Sequence, residues 1–354
     1  MFYRENGQFK SNYASDQQML PILQDRAFML GLLTFAFAVV PFVVSDYVFL
    51  SLLIPFLILT LAAIGLNLLV GYCGQISIGH AAFMAVGAYS AYNLVLRIPQ
   101  LNFLVVLVLA GLIAAAVGML FGIPSLRIKG LYLAVATLAA QFFMDWLFAR
   151  VKWFTNYAHS GSVQTAPIDL FGWIVDTPVE KYLFLLGLLI VFTLIAKNLV
   201  RSHIGREWMA MRDMDVAAEV IGIRPVYAKL TAFAVSSFYC GVAGALWGFV
   251  HLGAWEPLAF GLTVSLNLLF MIIIGGMGSL LGSYFGAAFI VVLPILLNQV
   301  PGLLGVPIST AMASHLEFMI FGALIVFFLI VEPHGLARLW AIGKEKLRLW
   351  PFPH

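Results

Sequence analysis

The sequence predicts an all-α, polytopic integral membrane protein with about ten transmembrane helices in two pseudo-repeated halves and both termini cytoplasmic. Three observations predict this. The chain of 354 residues is 62% hydrophobic and only 10% charged, with a mean hydropathy of +1.01. A soluble domain carries about 25% charge, so this chain lacks the charge to cover itself in water. Apolar runs approaching the roughly 20 residues needed to cross a bilayer recur along its whole length. The basic residues, finally, gather in alternate connections between those runs.

Taken in order, residues 1–26 are polar and lack the apolar run and small-residue cleavage site of a signal peptide. They form a cytoplasmic N-terminus, and the first apolar run is expected to remain in the membrane. Candidate spans follow near 27–44, 48–70, 79–96, 101–123, 131–149, 182–198, 230–250, 258–275, 283–298 and 316–331, within a transmembrane domain of residues 27–332. Those beginning at Tyr182, Ser283 and Leu316 are short, and short spans beside glycine clusters predict half-helices or re-entrant pieces buried in protein. Residues 333–354 are a cytoplasmic tail.

Ten spans put both ends on one side. With the N-terminus inside, the inner segments hold fifteen basic residues: Arg4, Lys10, Arg26, Arg127, Lys129, Lys197, Arg201, Arg206, Arg212, Arg224, Lys229, Arg338, Lys344, Lys346 and Arg348. The outer segments hold four: Arg97, Arg150, Lys152 and Lys181. This asymmetry orients the chain. The net charge of +3 is too small to indicate a nucleic-acid partner. Cys73 and Cys240 lie in apolar context, so no disulfide framework is expected.

Two connections are long. The outer loop 150–181 mixes Ser, Thr, Gly and Pro with Trp153, Phe154, Tyr157, Phe171 and Trp173, aromatics suited to the membrane–water interface. The inner segment 200–228 contains "GREWMAMRDMDVAAEVIGI" (205–223). From Lys197 to Lys229 six bases and four acids interleave, a pattern of an exposed helix rather than a polybasic lipid anchor. Gly205 opens it, and Gly222 followed by Pro225 predicts its stop. Trp208, Met211, Ala218 and Ile221 share one broad side at helical spacing, with Glu207 and Asp215 intruding. Such a helix predicts a docking knob for another protein; the alternative is a solvated connection.

The halves also match. "GYCGQISIGHAAF" (71–83) follows the second span and "GGMGSLLGSYFGA" (275–287) the eighth. Paired glycine-rich interruptions point to an internal repeat with a midplane pathway. Polar groups at membrane depth are functional candidates: Asn67, Gln75, Ser77, His80, Ser265 and Asn267 lie at or near these breaks, and Gln141 lies in the span 131–149. With Gly74, Gly79, Gly275, Gly276 and Gly278 they form the predicted translocation path. Helix–helix hydrogen bonding is the alternative role for the polar side chains. Ser236 and Ser237 are expected to bond back to carbonyls one turn earlier, and Asp145 to reach the outer interface near Arg150.

The charged segment resembles the cytoplasmic loop of permease subunits of branched-chain amino acid ABC importers. "GLNLLVGYCGQISIGHAAFMAVGAY" (65–89) and "SLNLLFMIIIGGMGSLLGSYFGA" (265–287) resemble that family's two glycine-rich motifs. The likeness runs from about residue 48 to 332. It departs at Met214 and Asp215, where Asn and Glu are usual, at Ser283 for a usual Pro, and at Glu256. The resemblance implies a coupling helix seated in an ATPase subunit, with Gly205, Arg206, Ala210, Arg212, Asp213, Ala217, Ala218, Glu219 and Gly222 as coupling residues. It further implies a bacterial inner-membrane location, a second homologous permease, two ATP-binding cassette subunits, and a periplasmic binding protein delivering branched-chain or other apolar amino acids. Membrane lipid completes the expected surroundings. Urea, short amides or aromatic carboxylates are alternative cargoes.

No G-x-x-x-x-G-K-S/T phosphate loop exists in the chain, so no cofactor is expected here and ATP belongs on the partners. Neither H-E-x-x-H nor a Ser–His pair within one span is found, so no catalytic or metal residues are assigned and the chain is read as a transport subunit, not an enzyme. An ion-coupled secondary transporter would need a deep carboxylate, and only Asp145 and Glu256 compete for that role.

Overall fold

The computed structural model describes residue 12 and residues 23–128, 130–158, 161–170, 172–303, 316, 319–324, 326–327, 330 and 335–349. Within these, the apolar runs are helices: α1 (Asp25–Val43), α2 (Asp46–Tyr72), α3 (His80–Arg97), α4 (Phe103–Leu126), α5 (Leu131–Arg150), α6 (Pro178–Arg201), α9 (Pro225–Leu252), α10 (Pro257–Gly275) and α11 (Leu280–Leu303). All of these except α3 contain a stretch long and apolar enough to cross a membrane, eight in total among the described residues. The charged segment forms α7 (His203–Asp213) and α8 (Asp215–Val220), and the tail forms α12 (Gly335–Leu349).

Two runs that look short in the sequence are full-length helices. For α6, Thr177 and Glu180 build a capping box: the Thr177 hydroxyl accepts from the Glu180 N–H at 3.3 Å, and the Glu180 carboxylate accepts from the Thr177 N–H at 3.2 Å. Glu180 and Lys181, read as loop residues, therefore belong to the first helical turn, where an acid complements the positive end of the helix. For α11, Ser279 caps the start by accepting from the Gly282 N–H at 3.2 Å, so the helix begins directly after the second glycine break. Of the expected run 316–331, residues 316, 319–324, 326–327 and 330 are helical, and the others lie outside the described residues.

The all-α expectation needs one correction. Four strands of two or three residues occur: β1 (Val163–Gln164) pairs with β4 (Ala254–Trp255), and β2 (Ile168–Leu170) with β3 (Trp173–Val175). The loop between α5 and α6 is thus tied to the connection between α9 and α10. Gly172 turns the β2–β3 hairpin at a φ of 87°, and the Asp169 carboxylate accepts its N–H at 2.7 Å. Arg97, at the end of α3, stacks 3.9 Å over the Trp153 ring. These contacts hold the described parts of the aromatic loop against the bundle.

The core centres on α9, which packs against α2, α3 and α4. These helices meet backbone to backbone: a Cβ at Gly87 would overlap the Gly241 backbone, and one at Gly244 the Met84 backbone. In lipid, where apolar side chains gain nothing by leaving solvent, such close approach supplies the packing that holds helices together. At the other end of the chain, α12 packs on α10 and α11, and Lys344 pairs with Asp25 of α1 at 2.7 Å. Asp25 and Arg26, read as part of a polar tail, are helical.

Candidate translocation and coupling site

The first break, residues 73–79, runs from the α7 end of the bundle to half its depth. At its start, Gly74 (φ 71°) abuts Arg212 of α7. Its far end delivers His80 between the middles of α5, α9 and α10. There a buried polar cluster fastens the beginning of α3. The Ile78 N–H donates to Thr137 Oγ1 at 3.0 Å, the Ala81 N–H to Ser265 Oγ at 2.8 Å, and the Ala82 N–H to Gln141 Oε1 at 2.7 Å. Donors at a helix start have no intrahelical partner, and two helices, α5 and α10, supply acceptors here.

Gln141 is the hub. Its oxygen also accepts from the Ser265 hydroxyl at 3.0 Å, and its nitrogen donates to the Phe260 carbonyl and the Asp145 carboxylate, both at 2.9 Å. All four hydrogen-bonding positions of the amide are filled. Asp145 therefore turns toward Gln141 rather than simply reaching an interface. His80 bridges Ser77 Oγ on Nδ1 and Ser236 Oγ on Nε2, each at 2.8 Å. Ser236 was expected to bond within its own helix; it instead joins α9 to α3. Ser237 is buried with no hydrogen-bond partner among the described residues. Gly79 faces the Thr137 carbonyl so closely that no Cβ fits.

The second break, 276–279, sits at the α7 end of the bundle. Gly276 (φ 121°) and Gly278 (φ 77°) adopt backbone that side chains disfavour, while Gly275 packs directly on Gly282 and Gly286 of α11. Asn67 joins this break to the first. Its Oδ1 accepts from the Gly278 N–H at 2.8 Å; its Nδ2 donates to the Ser279 carbonyl at 2.8 Å and to Ser283 Oγ at 3.0 Å. Ser283, a departure from the usual proline, is thus part of the clasp. A Cβ at Gly71 would strike both Asn67 and the Gly278 backbone.

Most predicted path residues are therefore occupied with one another. Two are not: Gln75 and Asn267 have no side-chain hydrogen bond among the described residues. Gln75 is nearly buried in the first break and Asn267 half-buried on α10.

The charged segment divides where one helix was expected. Met214 adopts an extended backbone (φ −160°, ψ 95°) between α7 and α8, and Gly222 (φ 92°) ends α8 as its sequence predicts. The apolar stripe points mostly inward. Trp208 is fully buried and donates to Thr231 Oγ1 of α9 at 3.1 Å; Met211 and Ala218 are buried too. Ile221, by contrast, is 75% exposed, beside Met214, Val216 and Val220 at 66%, 66% and 82%. The exposed apolar face lies on and beside α8, and of the predicted stripe only Ile221 belongs to it.

The predicted coupling residues follow this division. Gly205 is buried against the Leu199 and Val200 carbonyls, Ala210 is half-buried, and Arg206, Asp213, Ala217, Glu219 and Gly222 are exposed. Arg206 donates to the Arg201 carbonyl at 3.1 Å. Arg212 reaches back into the bundle: its Nη1 donates to the Gly71 carbonyl at 2.9 Å, while Asp213 Oδ1 holds its Nε at 2.9 Å and Nη2 at 2.8 Å.

A helical bundle with apolar spans, paired glycine breaks, buried polar clasps and a projecting charged helix pair defines a multi-pass membrane permease. The chain belongs to the family described as branched-chain amino acid transport system / permease component, whose model matches residues 48–329. It is 29% identical over 337 residues to the high-affinity branched-chain amino acid transport system permease protein LivM of Salmonella typhimurium, covering 89% of this chain and 75% of that one. With the protein of the same name from Escherichia coli it shares 30% identity over 344 residues, at the same coverage. A probable branched-chain amino acid transport permease protein LivM of Methanocaldococcus jannaschii is 21% identical over 316 residues, covering 78% of this chain and 89% of that one. No solved structure matches the chain.

Proposed function

We propose that this chain is the membrane-spanning half of an ATP-driven importer for branched-chain or similar apolar amino acids, in a bacterial inner membrane with both termini in the cytoplasm. The family and the names of the relatives support the substrate class. One structural observation carries the coupling role: Met214, Val216, Val220 and Ile221 stand exposed together on a short helix pair outside the spans. Large apolar side chains collected on a polar projection mark a protein-docking surface. An ATP-binding cassette subunit is the occupant we assign, since this chain carries no phosphate loop.

In this reading a periplasmic binding protein delivers the amino acid to the ordered α5–α6 loop, and a second permease completes the path. ATP-driven closure of two ATPase subunits moves α7 and α8, and the bundle alternates between outward and inward access. Gln75 and Asn267 carry the unpartnered amides that meet the solute. Co-reconstitution in vesicles tests the proposal: leucine uptake should require both the ATPase and the binding protein. Uptake driven by an ion gradient alone would overturn it in favour of a secondary transporter.

A further inference from the structure

We infer that Arg212 is a positioning residue that transmits movement of the charged segment to both glycine breaks at once. The inference rests on the coupling role proposed for α7 and α8. Arg212 is in the last turn of α7, two residues before the extended Met214 that separates α7 from α8. Its guanidinium caps the last turn of α2 through the Gly71 carbonyl at 2.9 Å. A cation there meets the negative end of a helix, where carbonyls lack intrahelical partners. Its Cα and Cγ lie 3.2 and 3.0 Å from the place a Gly74 side chain would take. Nη1 lies 3.3 Å from the corresponding point at Gly278. One side chain therefore meets the start of the first break, at Gly71 and Gly74, and the second break at Gly278.

From Gly71 the connection continues without a gap. The Asn67 side chain, one turn earlier on α2, holds Gly278, Ser279 and Ser283. Asp213 fixes the guanidinium from the other side through Nε and Nη2, so the fork cannot swing freely when α7 moves. A shift of α7 must displace the Gly71 carbonyl, reorganise the Asn67 clasp, or break the hydrogen bond. Because the breaks are the parts of α2–α3 and α10–α11 without continuous helical hydrogen bonding, they are where the bundle can bend.

The test uses the assembled complex in vesicles with Arg212→Gln, Arg212→Lys and, separately, Val220→Glu. A spin-label pair at Val216 and Met277, both exposed, reports the distance between α8 and the second break with and without ATP. In Arg212→Gln the ATPase should still co-purify, uptake should fall at least about tenfold, the effect of one charged hydrogen bond, and the ATP-dependent distance change should vanish. Arg212→Lys keeps the charge without the fork and should recover part of both signals. Uptake within twofold of the parent in Arg212→Gln, or an unchanged distance response, overturns the inference. Loss of co-purification in Arg212→Gln also overturns it, by making Arg212 a docking residue. If Val220→Glu still binds the ATPase, the docking reading itself is at fault.

Discussion

His80 Nε2 lies 2.8 Å from Ser236 Oγ, a bond between residues 156 apart in sequence that ties the start of α3 to the middle of α9. Both side chains are buried. Ser236→Ala leaves a ring nitrogen without a partner in a dry interior, and should lower stability by about 1 kcal/mol, within the range found for hydrogen bonds between membrane helices. His80→Ala loses both bonds and leaves a void, so its midpoint should fall further. Thermal unfolding in detergent checks that the His80→Ala midpoint lies below that of Ser236→Ala.

Asn67→Leu keeps the size of the side chain but removes three bonds between the breaks. The Gly278 N–H and Ser283 hydroxyl lose their partner, while the Ser279 carbonyl keeps only the Ser283 N–H at 3.4 Å, an expense of about 1–3 kcal/mol for each group left buried and unpaired. Expression should drop, and uptake per folded molecule should fall severalfold. Asn67→Asp, which preserves the acceptor for Gly278, should retain more activity in the same uptake assay.

Gly244→Val places a side chain where Met84 backbone already lies. Neither α9 nor α3 can yield without disturbing the core, so this variant should fail to accumulate in membranes. Gly187→Ala is the control: nothing lies within 4 Å of its added carbon, and the alanine should be neutral or slightly stabilising by its helix propensity. Immunoblots of membrane fractions distinguish the two.

The Asp25–Lys344 pair joins α1 to α12 at 2.7 Å, with side chains 17% and 33% exposed. Partly solvated pairs contribute about 0–1 kcal/mol. Lys344→Glu should therefore shift the unfolding midpoint only slightly, and the swap Asp25→Lys with Lys344→Asp should restore most of the shift. A larger loss would mean that this contact holds the ends of the chain together more firmly than its exposure implies.

Much of the architecture was legible because a bilayer imposes a simple length rule. Runs such as 101–123 and 131–149 appear within a few residues as α4 and α5. The rule failed where helices end in charge: Glu180 and Lys181 were excluded from α6 because the hydropathy reading cannot recognise a capping box. It also missed the antiparallel pairing of β1 with β4, which sets Val163 opposite Trp255 and Gln164 opposite Ala254. The polar residues near the breaks were visible one by one, but their mutual bonding was not, since Gln141, Ser265 and His80 reside on different helices. The Trp208, Met211, Ala218 stripe was read correctly as apolar and assigned to a partner, whereas it covers α9. Ile221, the fourth residue of the stripe, alone faces outward; periodicity reports that a face is apolar without saying whose surface buries it.

Photo-crosslinking from position 220 tests the central proposal most directly, because Val220 is the most exposed apolar residue of the helix pair. In cells carrying the whole transport system, a photoreactive residue there should form an adduct with the ATP-binding cassette subunit. Adducts with lipid alone, or labelling of a cysteine at 220 by an impermeant reagent added outside the cytoplasmic membrane, would contradict it.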